Sequence, residues 1–189
     1  MTDYGCNWSR DNCININWSK TKEMLVGTVL NDVNTELICL DSHHVQRVSV
    51  FKLLGVTVDS NLKWNTHTDN ICAKASSRLY TLKILKRCSV SRDDLWHFYV
   101  TAIRLLLEYA CSAWHTSLNQ EQSRRLENIQ EQVVNIIYRH GDYVAFCSDY
   151  KISPLVDRRI SCVSLKVFII KSVLSETGCL HYLLPPPRN

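Results

Sequence analysis

The chain has 189 residues, of which 46% are hydrophobic and 21% charged, with a formal net charge of +4. This is enough for one good core, or one core with a small satellite, at the composition of an ordinary globular domain. Its most apolar stretches, Ala102–Leu107 and Ile160–Leu174, are interrupted by Arg104, Lys166 and Lys171, which excludes the run of about 20 apolar residues that spans a bilayer.

The opening MTDYGCNWSRDN holds no apolar run, so no signal peptide is expected. Ile14 and Ile16 alternate with asparagines, the period-two signature of a half-buried strand. Glu23–Val29 and Glu36–Leu40 read as two further short strands around an Asn-Asp-Val-Asn-Thr turn. Val48–Val58 is apolar on both faces, broken only by Gly55, and closes at Asp59-Ser60-Asn61. A strand of that kind is usually covered on both sides.

After Trp64 the period becomes helical. Asn65 or Thr66 can cap a helix with the stripe Ile71, Ala75, Leu79, Leu82 and Leu85. Ser91-Arg-Asp-Asp94 has the capping-box form, ahead of Leu95, Phe98, Tyr99, Ala102, Ile103, Leu106 and Tyr109. Asn119 and Gln122 open a third helix through Leu126, Ile129, Val133, Ile136 and Ile137, ending before Gly141. Ser153-Pro154 pairs an N-cap with proline at the first helical position, and this fourth helix runs to about Ser175. The chain has five glycines and four prolines, three of the prolines at 185–187. So little turn punctuation favours long helices over a many-stranded sandwich.

Charge and cysteine add to this outline. Between Asn70 and Arg92 stand six basic residues and no acid: Lys74, Arg78, Lys83, Lys86, Arg87 and Arg92. On a helical wheel they flank the apolar stripe on both sides. Nine cysteines, an odd number at irregular spacing with no CxxC pair, argue against a disulfide framework. They predict a reducing, intracellular compartment, nucleus or cytoplasm.

Several segments carry a family resemblance. Ile14-Asn-Ile-Asn-Trp-Ser-Lys20-Thr21-Lys22-Glu-Met24 is similar to the segment after the catalytic strand of non-LTR (LINE-type) retrotransposon reverse transcriptases, most nearly those of the Jockey type. Phe51-Lys52-Leu-Leu54-Gly55-Val56, with Leu62-Lys-Trp64 and His67, resembles that family's primer-grip hairpin. The likeness continues in order through Lys74–Tyr80, Tyr99–Trp114, Leu126–Gln130, Ile136–Tyr138, Asp157-Arg-Arg159 and Cys179–Arg188. It implies the end of a palm followed by a helical thumb.

The family's chemistry needs two metals about 3.5–4 Å apart, held by palm carboxylates. The Tyr-x-Asp-Asp motif that supplies them is absent from this sequence, whose one Asp-Asp pair, Asp93-Asp94, opens a helix. The resemblance therefore implies a catalytically incomplete C-terminal piece of an RNA-directed DNA polymerase. No catalytic residue, metal, cofactor or small-molecule substrate is expected.

Lys20 and Lys22 stand where a family lysine is thought to assist the leaving group. Without metal or nucleotide they read as a solvated pair beside Glu23. The six cations from Lys74 to Arg92 are the candidate nucleic-acid contacts, neutralising duplex phosphates without reading sequence, with Tyr80 as a stacking face. The competing reading is a solvated helix surface.

His67-Thr68-Asp69 has the HxD form of iron-dependent dioxygenases, and the Lys20–Met24 region also resembles a segment named for the N-terminal part of AlkB-type DNA-repair homologues. Those sites need HxD on a jelly-roll strand with a distal histidine, whereas this tripeptide falls in the first turn of a helix. Cys179-x-His181 lacks a second ligand pair for zinc, and the tryptophans read as core anchors.

The expected fold is α+β and mostly helical, a small antiparallel β unit followed by a bundle of about four helices. Its parts are a palm-like remnant with a primer-grip hairpin (1–62), a thumb-like helical region (63–140) and a C-terminal helix with a proline-rich tail (141–189). The expected partner is a nucleic-acid duplex, bound weakly and non-specifically, with no membrane partner. The alternative is an interaction fragment with no enzymatic role.

Overall fold

The computed structural model describes residues 4–27, 39–40, 43–139 and 143–174. The chain falls into two compact units, Met1–His67 and Thr68–Asn189. The fold is α+β and mostly helical, with short strands ahead of long helices. The segments expected as thumb-like and C-terminal, beyond residue 67, lie within the second unit.

The first unit opens on a helix, α1 (Tyr4–Asp11), which the sequence pattern does not announce. The strand expected at Ile14–Ile16 is irregular backbone instead. Asparagine side chains turn the chain here. Asn12 Nδ2 donates to the Trp8 carbonyl at 2.8 Å, and Asn17 Oδ1 accepts from the Lys20 amide at 3.2 Å. Such local bonds compete with a strand ladder.

The remaining strands are β1 (Lys22–Glu23), β2 (Cys39–Leu40), β3 (His43–His44), β4 (Gln46–Arg47), β5 (Val50–Leu53) and β6 (Val56–Asp59). They form three two-stranded sheets. β2–β3 and β5–β6 are antiparallel, whereas β1–β4 is parallel, an exception to the antiparallel unit expected. Of the strand expected over Glu23–Val29, the described residues keep only its first position. Of Glu36–Leu40 they keep Cys39 and Leu40, the rest lying outside the described residues.

Val48–Val58 is not one strand but a hairpin. Leu54 and Gly55 both have positive φ, 47° and 86°, so a two-residue primed turn reverses the chain, with Leu53 opposite Val56 and Val50 opposite Asp59. Such turns match strand twist and usually carry Asn-Gly, and a leucine in the left-handed region costs roughly 1–2 kcal/mol. β6 is mostly buried, but all four residues of β5 are exposed. An open recess lined by Met24, Val48, Phe51, Leu53 and Val58 lies beside it. Trp64 is buried and packs edge-on to His67, whose Nδ1 accepts the Thr57 amide at 3.3 Å.

The uncovered strand has a measurable consequence. In native-state hydrogen exchange, Val50–Leu53 amides should exchange at least tenfold faster than those of Leu126–Ile137, because local opening follows burial. Equal protection in the two segments would mean that β5 is covered in solution.

The second unit holds most of α2 (Asn65–Arg87), then α3 (Arg92–Phe98), a π-helical turn (Tyr99–Arg104), α4 (Leu105–Glu108), α5 (Cys111–Trp114), a 3₁₀ turn (His115–Ser117), α6 (Gln120–Tyr138), α7 (Tyr143–Asp149) and α8 (Leu155–Leu174). The four predicted helices correspond to α2, the α3–π–α4 run, α6 and α8, with α5 and α7 added as short pieces. The capping box predicted at Asn119 is present in both directions, at 2.8 and 2.9 Å. Ser91 accepts from the Asp94 amide at 3.2 Å.

α8 begins at Leu155, so Pro154 precedes the helix rather than occupying its first position. The buried core joins Leu79, Leu82, Leu95, Tyr99, Ile103, Leu107, Trp114, Leu126, Val133, Ile137, Phe146 and Leu155. Of the other tryptophans, Trp96 packs on Tyr99 and Tyr138, while Trp8 is exposed and is no core anchor. Among the described residues no helix is long and apolar enough to cross a membrane.

Candidate nucleic-acid interface

α2 exists because its apolar residues repeat at helical spacing. Ile71, Ala75, Leu79 and Leu82 are buried on one stripe, so the residues beside and opposite that stripe face solvent. The six candidate cations divide into two groups by what they touch.

Arg78 and Lys86 hold the fold together. Arg78 Nη1 donates to the carbonyl of Ala102, inside the π turn. A wider turn tilts carbonyls away from regular helical pairing, and the guanidinium bonds one carbonyl of this turn. Lys86 Nζ donates to the Ile137 carbonyl at 3.0 Å, in the last turn of α6, where a cation suits the helix dipole.

Lys74, Lys83 and Arg87 are exposed and make no hydrogen bond or ion pair among the described residues. Arg92 is exposed at the start of α3. Lys83 and Arg87 lie one turn apart, beside Tyr80, which is 64% exposed, and Ile84, which is 39% exposed. Lys83 also lines a shallow groove with Gln132, Asn135 and Ile136 of α6. The result is a cationic edge next to an aromatic face and amide side chains. Lys74 stands on the other flank of the helix. The nearest acid upstream, Asp69, is ion-paired to Arg125 at 2.7 Å.

Lys20, Lys22, Phe51, Lys52, Gly55 and Trp64, which carry the first part of the resemblance, lie in the first unit. Lys20 is exposed. Lys22 Nζ donates to Gln46 Oε1 at 2.5 Å, and Glu23 is ion-paired with Arg47. Lys20 thus faces solvent, while Lys22 bonds Gln46 at the surface and Glu23 is engaged by Arg47. Phe51 and Lys52 are exposed on β5, Gly55 makes the hairpin turn and Trp64 is buried.

For other residues the sequence gives no sign of their role beyond the resemblance over Leu126–Gln130. Glu127 of α6 accepts from the Tyr143 hydroxyl at 2.5 Å and from the amides of Leu155 and Val156 at 3.1 and 3.2 Å. It thereby caps α8 from another helix, in place of Ser153. Gln130 donates to the Tyr143 hydroxyl at 2.6 Å and accepts from that of Tyr99. Burial pushes both phenols well above their ordinary pKa, so they remain donors.

The Asp157-Arg-Arg159 segment is also structural. Arg158 forms a two-pronged pair with Glu108, at 2.5 and 3.2 Å. Arg159 is fully buried, its Nε donating to His115 Nδ1 at 3.3 Å. Burial and the nearby Arg159 charge lower the His115 pKa, keeping the ring neutral and able to accept. Burial likewise lowers that of Arg159.

In His67-Thr68-Asp69 the histidine is buried and the aspartate is ion-paired with Arg125. Among the described residues no group of three His, Cys, Asp or Glu could hold a metal ion. Cys179 and His181 lie outside the described residues. Cys13, Cys72, Cys88, Cys111, Cys147 and Cys162 are free thiols. Comparison of the chain with protein-family models, curated proteins and solved structures gives no match.

Proposed function

We propose that this chain carries a thumb segment of reverse-transcriptase type, which grips a template–primer duplex through α2 without sequence preference. It performs no nucleotidyl transfer of its own. The observation that carries the reading is the edge formed by Tyr80, Lys83 and Arg87, with no acid in the window from Asn70 to Arg92. Cations arranged in this way release counterions from phosphates, and an exposed aromatic face offers stacking to any base. The ordered resemblance to LINE-type reverse transcriptases supports the same role. The absence of Tyr-x-Asp-Asp from the sequence supports the lack of catalysis.

Titration with duplex at low salt should give a dissociation constant of about 10⁻⁴–10⁻⁶ M, the same for unrelated sequences, weakening steeply with salt. Changing Lys83 and Arg87 together to alanine should reduce the slope of log K against log salt by about 2, near the 0.9 per phosphate of duplex DNA. Lys86 and Arg78 are left intact because they support the fold. A control removing equal charge at Arg10 and Lys151, both exposed, should change the slope little. Binding that ignores the first variant, or no binding at low salt, would sink the thumb reading. Template-dependent incorporation with magnesium, surviving removal of host polymerases, would sink the non-catalytic half.

A further inference from the structure

Bonded pairs fasten α8 to the corner around α5. Arg158 donates to Glu108 at 2.5 and 3.2 Å, Lys166 Nζ donates to Ser112 Oγ at 2.9 Å, and Arg159 Nε donates to His115 Nδ1 at 3.3 Å. One cysteine from each side stands inside this frame. Cys111 lies between Glu108 and Ser112, one turn ahead of His115, and Cys162 lies one turn after Arg158 and Arg159 and one turn before Lys166. Helical residues three or four apart share a face, so Cys162 lies on the side of α8 that meets α5. Cys111 is buried and Cys162 half-buried, both as free thiols, and the two are hydrogen-bond neighbours across the helix contact. Cys72 and Cys147 lie beside Arg125 and Tyr143 instead.

We propose that Cys111 and Cys162 form a reversible disulfide when the surrounding thiol pool is oxidised, fastening α5 to α8. The oxidant is a low-molecular-weight disulfide. The thiolate of Cys162, the more accessible of the two, attacks one of its sulfurs and expels the first thiolate. Cys111 then gives up its proton to solvent and attacks the Cys162 sulfur of that mixed disulfide, expelling the second. One S–S bond forms in the protein while one outside it is reduced to two thiols, which take up the protons the cysteines lose. Burial, with the Cys162 thiol beside it, raises the Cys111 pKa. Cys111 therefore suits the second step, where proximity offsets a low thiolate fraction. In a reducing pool both remain thiols, in keeping with a cysteine set that builds no disulfide framework.

The test equilibrates the reduced, full chain with glutathione buffers of rising oxidised fraction, blocks the remaining thiols by alkylation and maps linkages by peptide mass spectrometry. A peptide joining Cys111 to Cys162 should accumulate in the monomer and vanish on reduction. Closing a loop of about 50 residues should raise the thermal midpoint of the linked form by roughly 10 °C over the reduced form. Cys162→Ser, at a half-buried position, should lose both the linked peptide and the rise. Cys111→Ala should leave Cys162 carrying glutathione, and it decides the matter if the first variant misfolds. Wild type in which Cys162 keeps glutathione while Cys111 stays a free thiol overturns the proposal. So does pairing of either cysteine with a different partner, or a midpoint that does not rise when the link forms.

Discussion

Trp114→Ala should destabilise the helical unit by about 4 kcal/mol, the cost of emptying a large buried aromatic site. For a unit of this size the thermal midpoint should fall by roughly 15 °C. Trp114 closes α5, is completely buried, and donates Nε1 to the Tyr109 carbonyl at 3.0 Å. α5 has only four residues and packs on α8. So short a helix has little stability of its own, and the indole holds the corner between α4 and α6 in place. Trp114→Phe keeps most of the volume and loses one hydrogen bond, so its cost should be about 1–2 kcal/mol. Urea denaturation with an unchanged slope is the measurement. A loss below about 1 kcal/mol for the alanine variant would show that the site collapses freely and that Trp114 is not a keystone of the core.

Glu127→Ala should cost roughly 3 kcal/mol, and most of that should come from what it leaves behind. The carboxylate accepts from one half-buried phenol and from the first two amides of α8, so its removal takes the acceptor from three donors at once. It also removes a negative charge from a helix N-terminus, worth about 0.3–1 kcal/mol where exposed and more where partly buried. Glu127→Gln keeps one acceptor and should recover about half of the loss. The variants should also speed exchange of the Leu155–Arg159 amides before those of α2, because the cap serves α8 alone. Uniform loosening across both helices would count against a local capping role for Glu127.

Much of the helical unit is legible in the residues, for a reason that can be stated. Asn119 and Gln122 are three apart, and their mutual bonds are local, so the capping box reads directly from spacing. The same holds for the stripe of α2, whose four buried positions follow helical periodicity. The hairpin was less legible. Its turn is Leu54-Gly55 rather than Asn-Gly, so by pattern alone Val48–Val58 reads as one strand, while the retroelement likeness of Phe51–Val56 points to a hairpin. α1 and the irregular backbone at Ile14–Ile16 escaped for a similar reason, since asparagine side chains there decide between conformations that hydropathy does not separate.

The candidate interface divides along the same line. The sequence by itself determined that six cations stand without an acid between Asn70 and Arg92, and that a helix would carry most of them, because charge count and period are local properties. Only the tertiary structure decided which of them find an acceptor within the fold. Arg78 and Lys86 are drawn to carbonyls of the π turn and of α6, at residues 24 and 51 positions away. Lys74, Lys83 and Arg87 remain exposed. A long cationic side chain takes whichever acceptor packing brings within reach. Helix packing in this unit sets Glu127 over α8, Arg158 against Glu108 and Arg159 beside His115, pairings between residues 28 to 50 positions apart that no local pattern encodes.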